Sequence, residues 1–207
     1  MLKETKKKIM VQVWDELAKV VKKELRSLHI SRDSYLNDLL KLEIERLSSE
    51  VSYATPDEAK KHIKKRLCGI KNREKMTLAL DIEVADRINQ VLAEKNIHRG
   101  SFINRVLFFL VAKPEHLKRI GIEYQLNQST AVKPLQDAYG FLNDPFFNIR
   151  ENNDELFYEI SFPDEPLAKN WPNLFGLNCA ISPEKWRIIN TPLMSLEDDL
   201  EVKEEIK

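Results

Sequence analysis

The chain has 207 residues, room for about one to three small domains, and its 33 Lys+Arg balance 33 Asp+Glu at a formal charge of zero. That zero is a sum of opposed parts: residues 1–122 hold 26 Lys+Arg against 17 Asp+Glu (+9), and residues 123–207 hold 7 against 16 (−9). A split of this kind points to a nucleic-acid-binding part joined to an acidic part.

Beginning at the N-terminus, MLKETKKKIM is basic and lacks the apolar core of a secretory leader. Residues Ile9-Met10-Val11-Gln12-Val13 then alternate with period two, the pattern of a short strand with one buried face. The period becomes helical at Leu17, Val20, Val21, Leu25 and Leu28. After a turn a second helix is predicted to start near Asp33, whose carboxylate suits an N-cap, and to carry Tyr35, Leu36, Leu39, Leu40 and Leu47 inward.

Residues 51–74 form a connector. Thr55-Pro56-Asp57-Glu58 has the form of a capping box with proline at N1, so a helix is expected from there to about Cys68, ending near Gly69. Ala59, Ile63 and Leu67 fall on one face, and Lys60, Lys61, Lys64, Lys65 and Arg66 crowd the others.

The opening pattern then returns. Met76-Thr77-Leu78-Ala79-Leu80 alternates, Val84, Ile88, Val91 and Leu92 form a helical face, and a second helix begins near Gly100. Adding 67 to a position in residues 8–47 finds its counterpart in residues 75–114 without gaps, from Ile9 and Met76 through Asn37 and Asn104 to Leu40 and Leu107. One offset held over about thirty residues with the apolar phase intact indicates duplication. A unit of about forty residues with a lone strand buries too little surface to be stable alone, whereas two such units can pair their strands and interlock their helices.

A strand followed by two helices, duplicated, with Ser31-Arg32 at the interhelical turn, resembles the ribbon-helix-helix family of DNA-binding proteins. The resemblance covers roughly two-fifths of the chain. It implies a mainly α fold with a short two-stranded antiparallel ribbon, a single-chain tandem of units 1–50 and 75–122, followed by a small loop-rich α+β region at 123–207. Most members reach that fold by homodimerising; some conjugation-accessory proteins carry it in one chain.

The family lays its ribbon in the major groove. The outward positions here are Lys8, Met10 and Gln12 in one strand and Lys75, Thr77 and Ala79 in the other, and these are the expected base-contacting residues. Glutamine can pair with adenine, lysine can donate to guanine, and Thr77 or Ala79 can pack on a thymine methyl. Arg, Lys and Asn are commoner on this face in the family. Phosphate contacts are expected from Arg32, Ser34, Arg99 and Ser101 at the starts of the second helices, and from Lys60, Lys61, Lys64 and Lys65 on the connector.

Beyond residue 122, aromatic residues such as Phe146, Phe157, Tyr158, Phe162 and Phe175 argue for packed structure. A strand is expected over 155–162, a short helix after Ser182-Pro183-Glu184, and fraying in the acid-rich tail from Glu197 to Lys207. The run from Phe102 to Val111 is apolar nearly all round, so residues 123–207 or a second molecule should cover it.

Other chemistries find little support. Ser182-Pro-Glu-Lys185 matches the S-x-x-K pattern, but the proline suits a helix start better. His29, His62, His98 and His116 have no ligand spacing with one another or with Cys68 and Cys179, and no glycine loop suits a phosphate. No enzyme activity, metal or cofactor is expected. No run approaches the roughly 20 apolar residues of a membrane span, so the expected setting is cytoplasmic and nucleoid-associated.

The expected function is DNA binding as a transcriptional regulator, with double-stranded DNA as partner and self-association of the module on DNA. Two alternatives stay open: an accessory of a plasmid or conjugative relaxosome or partition complex, and an antitoxin-like repressor whose residues 123–207 bind a protein.

Overall fold

The computed structural model describes residues 5–112, 117, 146, 149–150, 157–164 and 173–191. Two strands, β1 (Lys6–Trp14) and β2 (Arg73–Asp81), form one antiparallel pair. Helices α1 (Asp15–Ser27) and α2 (Arg32–Glu50) follow β1, α3 (Asp57–Gly69) leads to β2, and α4 (Ile82–Glu94) and α5 (Arg99–Val111) follow β2. Both strands extend beyond the expected alternating cores, because Lys6, Lys8, Arg73 and Lys75 continue the alternation on the exposed side.

The 67-residue offset governs structure as well as sequence. β2 and α4 begin and end 67 residues after β1 and α1, and α5 begins 67 residues after α2. His29 and Asn96, also 67 apart, both take a left-handed backbone (φ 56° and 54°). Each ends its helix in the same way: the next N–H, from Ile30 or Ile97, reaches back to the carbonyl of Leu25 or Leu92. Equivalent bonds from His29 and Asn96 reach Arg26 and Ala93, closing a paired C-terminal cap.

Burial explains the strand register. Ile9, Val11 and Val13 on β1 and Met76, Leu78 and Leu80 on β2 are at most 5% exposed. A side chain of this size contributes roughly 1.5–3 kcal/mol when fully buried, and a one-residue slip would turn the whole set outward. Helices from opposite units then cover this face: α2 packs on β2 and α4, and α5 packs on β1 and α1. Leu17, Ala18, Val21 and Leu25 line the buried stripe of α1; Val84, Ala85, Ile88 and Leu92 occupy the same places on α4.

Two buried asparagines stitch the units together. Asn37 accepts from the Asp81 N–H (2.9 Å) and donates to the Asp81 carboxylate (2.9 Å). Its counterpart Asn104 accepts from the Trp14 N–H (3.2 Å) and donates to the Gln12 carbonyl (2.9 Å). Each satisfies a backbone N–H at the end of the other unit's strand, where no third strand can, and Asn104 a backbone carbonyl as well.

The apolar helix α5 is covered by described residues of the C-terminal region. Phe109 lies 4.7 Å from Phe157 and 5.8 Å from Phe162 between ring centroids, and Phe102 lies 6.0 Å from Tyr158. Within this cover Arg105 is fully buried. Its guanidinium donates to the carbonyls of Phe157, Ile160 (2.9 Å) and Leu177 (3.4 Å) and sits over the rings of Phe109, Phe157 and Phe162. A 3₁₀ turn, Leu174–Leu177, packs against α3 and α5, and a last described helix, α6 (Pro183–Asn190), starts at Ser182, whose Oγ accepts from the Lys185 N–H (3.1 Å).

Three local expectations are corrected. Asp33 is not the N-cap of α2: Ser31 holds that position, and the Asp33 carboxylate instead accepts from Arg32 and from the Ala79 N–H (3.4 Å). The connector helix forms, but its capping box does not, because Thr55 Oγ1 accepts from the Ile181 N–H (3.2 Å). The described part of 155–162, from Phe157 onward, is turn and irregular chain rather than strand, its carbonyls turned to Arg105. The tail from Glu197 to Lys207 lies outside the described residues.

Candidate nucleic-acid interface

The ribbon's outward face brings all six expected base-contacting residues together. Lys8 lies across from Ala79, Met10 from Thr77, and Gln12 from Lys75. Met10 and Thr77 are themselves 67 residues apart, so the approximate two-fold axis relating the units passes between them. The axis exchanges Lys8 with Lys75 and Gln12 with Ala79, leaving one lysine at each end of a shared surface.

The face is exposed and predominantly positive. Met10 is 58% exposed despite its apolar side chain. The outward set from Lys6 to Gln12 and from Arg73 to Ala79 contains four cations, and the one carboxylate of the same parity, Asp81 opposite Lys6 at the strand's end, accepts from Asn37. Nearby acids are engaged at the margins: Glu74, of the opposite parity, pairs with Lys22, and Asp86 pairs with Lys7 (2.8 Å). A paired two-stranded ribbon is of a width that the major groove admits.

The expected phosphate contacts divide. Ser34 is exposed at the first turn of α2, and Arg99 is exposed at the start of α5. Arg32 is half-buried and engaged within the protein, donating to Asp33 (2.7 Å) and to the Thr77 carbonyl (2.9 Å). Ser101 is fully buried, its hydroxyl 3.5 Å from His98 Nδ1, so its side chain cannot meet a phosphate. That expectation is corrected: α5 is covered on nearly every side, whereas the start of α2 is open. On the connector, Lys61, Lys64 and Lys65 are exposed, while Lys60 is half-buried and donates to Asn96 Oδ1 (2.7 Å).

Lys60, Lys64 and Arg99 also surround His98. Burial pushes the His98 pKa down, and repulsion from the three cations pushes it further. Sequence reasoning missed this cluster, since His98 lies about thirty residues from the connector lysines. It missed Lys6 and Arg73 on the ribbon as well, although both continue the alternation. Asn37 and Asn104 were visible as a matched pair within apolar helices, the signal of a shared structural task.

Among the described residues no helix is long and apolar enough to cross a membrane, and no group of His, Cys, Asp and Glu is arranged to hold a metal ion. Comparison of the chain with protein-family models, with curated proteins and with solved structures gave no match.

Proposed function

We propose that this chain is a DNA-binding protein of tandem ribbon-helix-helix architecture, inserting the β1–β2 ribbon into the major groove as a transcriptional regulator. The observation that carries the reading is the predominantly cationic outward face, centred on an approximate two-fold axis and with its one carboxylate, Asp81, held by Asn37 at the strand's end. Such a face meets the two strands of a duplex equivalently at its ends, through Lys8 and Lys75. Between them, Gln12 against Ala79 and Met10 against Thr77 make the two halves unequal, so the preferred site should be an imperfect palindrome. Lys61, Lys64, Lys65 and Arg99 supply further charge for the backbone. The described C-terminal residues are built into the core around Arg105, which favours a regulator over an antitoxin-like protein with a separate partner-binding arm.

The test is selection of preferred duplexes from a random pool by the full chain, followed by anisotropy titrations across a salt series. Enrichment of an imperfect palindrome, with affinity falling linearly in log salt, is the expected result. Failure of the full chain to retain any duplex at 50 mM salt would overturn the reading.

A further inference from the structure

A cavity of about 450 Å³ opens between the β1 edge, the start of α5 and the connector helix α3. Val11, Leu67, Leu92 and Ile97 give it apolar walls, and Lys60, Arg73 and Arg99 give it charge. No aspartate or glutamate lines it. The hydrogen bonds of Lys60 and Arg99 go to amide oxygens, Asn96 Oδ1 (2.7 Å) and Asn89 Oδ1 (3.4 Å), so they leave the positive charge unbalanced.

The duplicated unit shows what this place holds elsewhere in the same molecule. Across the two-fold axis the Asp33 carboxylate accepts from the Ala79 N–H, and Arg32 beside it donates to the Thr77 carbonyl. Sixty-seven residues on, Gly100 stands in place of Asp33 and Gln12 in place of Ala79, and both line the cavity. The acid that fills the first position has no counterpart in the second. Helix α3 walls only this second position, turning an open edge into a half-open cleft of the size that takes small organic molecules.

We propose that this cavity binds a small organic anion, an apolar body carrying one acidic group, whose charge takes the place that the Asp33 carboxylate holds in the first unit. Met10 and Gln12 belong both to the cavity lining and to the ribbon's outward face. An occupant therefore changes the surface offered to DNA, and the protein responds to a small-molecule effector. This regulatory half rests on the DNA-binding reading; the binding site itself does not.

Cys68 lines the cavity and is exposed, whereas Cys179 is buried, so one thiol reports occupancy. The probe is 8-anilinonaphthalene-1-sulfonate, with N-phenyl-1-naphthylamine as the same body without the charge, on the full chain. The sulfonate should slow iodoacetamide alkylation of Cys68 at least tenfold at saturation. The neutral analogue and inorganic phosphate should each bind at least tenfold more weakly. Gly100→Asp, which restores the first unit's acid and displaces the His98 ring because a Cβ there would stand 2.8 Å from His98 Cε1, should abolish the protection. If that variant does not fold, Lys60→Ala with Arg99→Ala should weaken the sulfonate at least fivefold.

Unprotected Cys68, or a neutral analogue that binds as tightly as the sulfonate, would overturn the site. Protection of Cys68 with unchanged affinity for a selected duplex would overturn the regulatory half. Protection in a chain that retains no duplex would leave the site standing and remove the DNA-binding reading.

Discussion

Asn104, buried in the apolar helix α5, hydrogen-bonds both the N–H of Trp14 and the carbonyl of Gln12, so one side chain holds the edge of the opposite unit's strand. Asn37 does the equivalent for Asp81. Replacing either with alanine strands a backbone N–H at the ribbon's edge, and an unsatisfied buried group costs about 1–3 kcal/mol. Asn37→Ala and Asn104→Ala should therefore each lower stability by about that amount in urea titrations. Asn104→Ala should cost more, because its side chain also donates to the Gly100 carbonyl (2.8 Å). A neutral result at both positions would remove them from the account of how the units join.

The lysines at the two ends of the ribbon offer a symmetry test. Lys8→Ala and Lys75→Ala should each reduce the salt slope of DNA binding by about one if they meet phosphate. Gln12→Ala should instead cost about 1–3 kcal/mol on a selected duplex and relax preference at one base pair. Anisotropy on a selected and a scrambled duplex separates the two behaviours.

Arg105 is a buried cation whose described partners are carbonyls and aromatic rings. Truncation to alanine leaves three carbonyls without their donor and a void among Phe109, Phe157 and Phe162. A loss of about 3–5 kcal/mol is expected from those two effects together. The same cover explains a second variant. A Cβ on Gly176 would stand 2.5 Å from the Leu67 backbone nitrogen, so Gly176→Ala should force the 3₁₀ turn off α3 and lower the thermal midpoint.

Stability should fall in alkali. Burial raises the Cys179 thiol to about 12, and burial, with help from the Glu43 carboxylate, raises the Tyr158 hydroxyl well above its ordinary range. In the unfolded chain these groups titrate near about 8.5 and 10. Both folded values are raised, so their contribution is complete below the unfolded values and is lost as pH rises towards the folded ones. Thermal midpoints should decline from about pH 9 upward, and Cys179→Ala should flatten the first part of that decline. An unchanged profile in the variant would assign the alkaline loss to the tyrosines.

A fragment of residues 1–50 retains β1, α1 and α2 but loses the partner strand and the helices α4 and α5 that cover them. It should be unfolded, or folded only as a homodimer, in sedimentation and circular dichroism. The full chain pairs its units at an effective concentration of order millimolar, so dilution should not separate them. A well-folded monomer of the fragment would contradict the interlocked packing.

Periodicity alone made the ribbon legible. Alternation at Ile9–Val13 and Met76–Leu80 selects the buried face, and a single offset of 67 sets two strands and four helices in equivalent places. Because side chains alternate strictly across a strand, the six outward residues followed from the buried ones by counting. Local pattern could not say which polar groups would find distant partners. Asp33 and Thr55 looked like helix caps, yet Ala79 and Ile181, remote in sequence, claim their oxygens. Ser101 matched Ser34 by offset but is buried, because cover over α5 from residues more than fifty positions later breaks the symmetry of the two units. The apolar girth of α5 announced that cover, while its form, carbonyls and rings gathered on Arg105, was decided by tertiary packing. Hydrogen bonds and burial are satisfied in space, and sequence neighbours reveal them only where the partner is local.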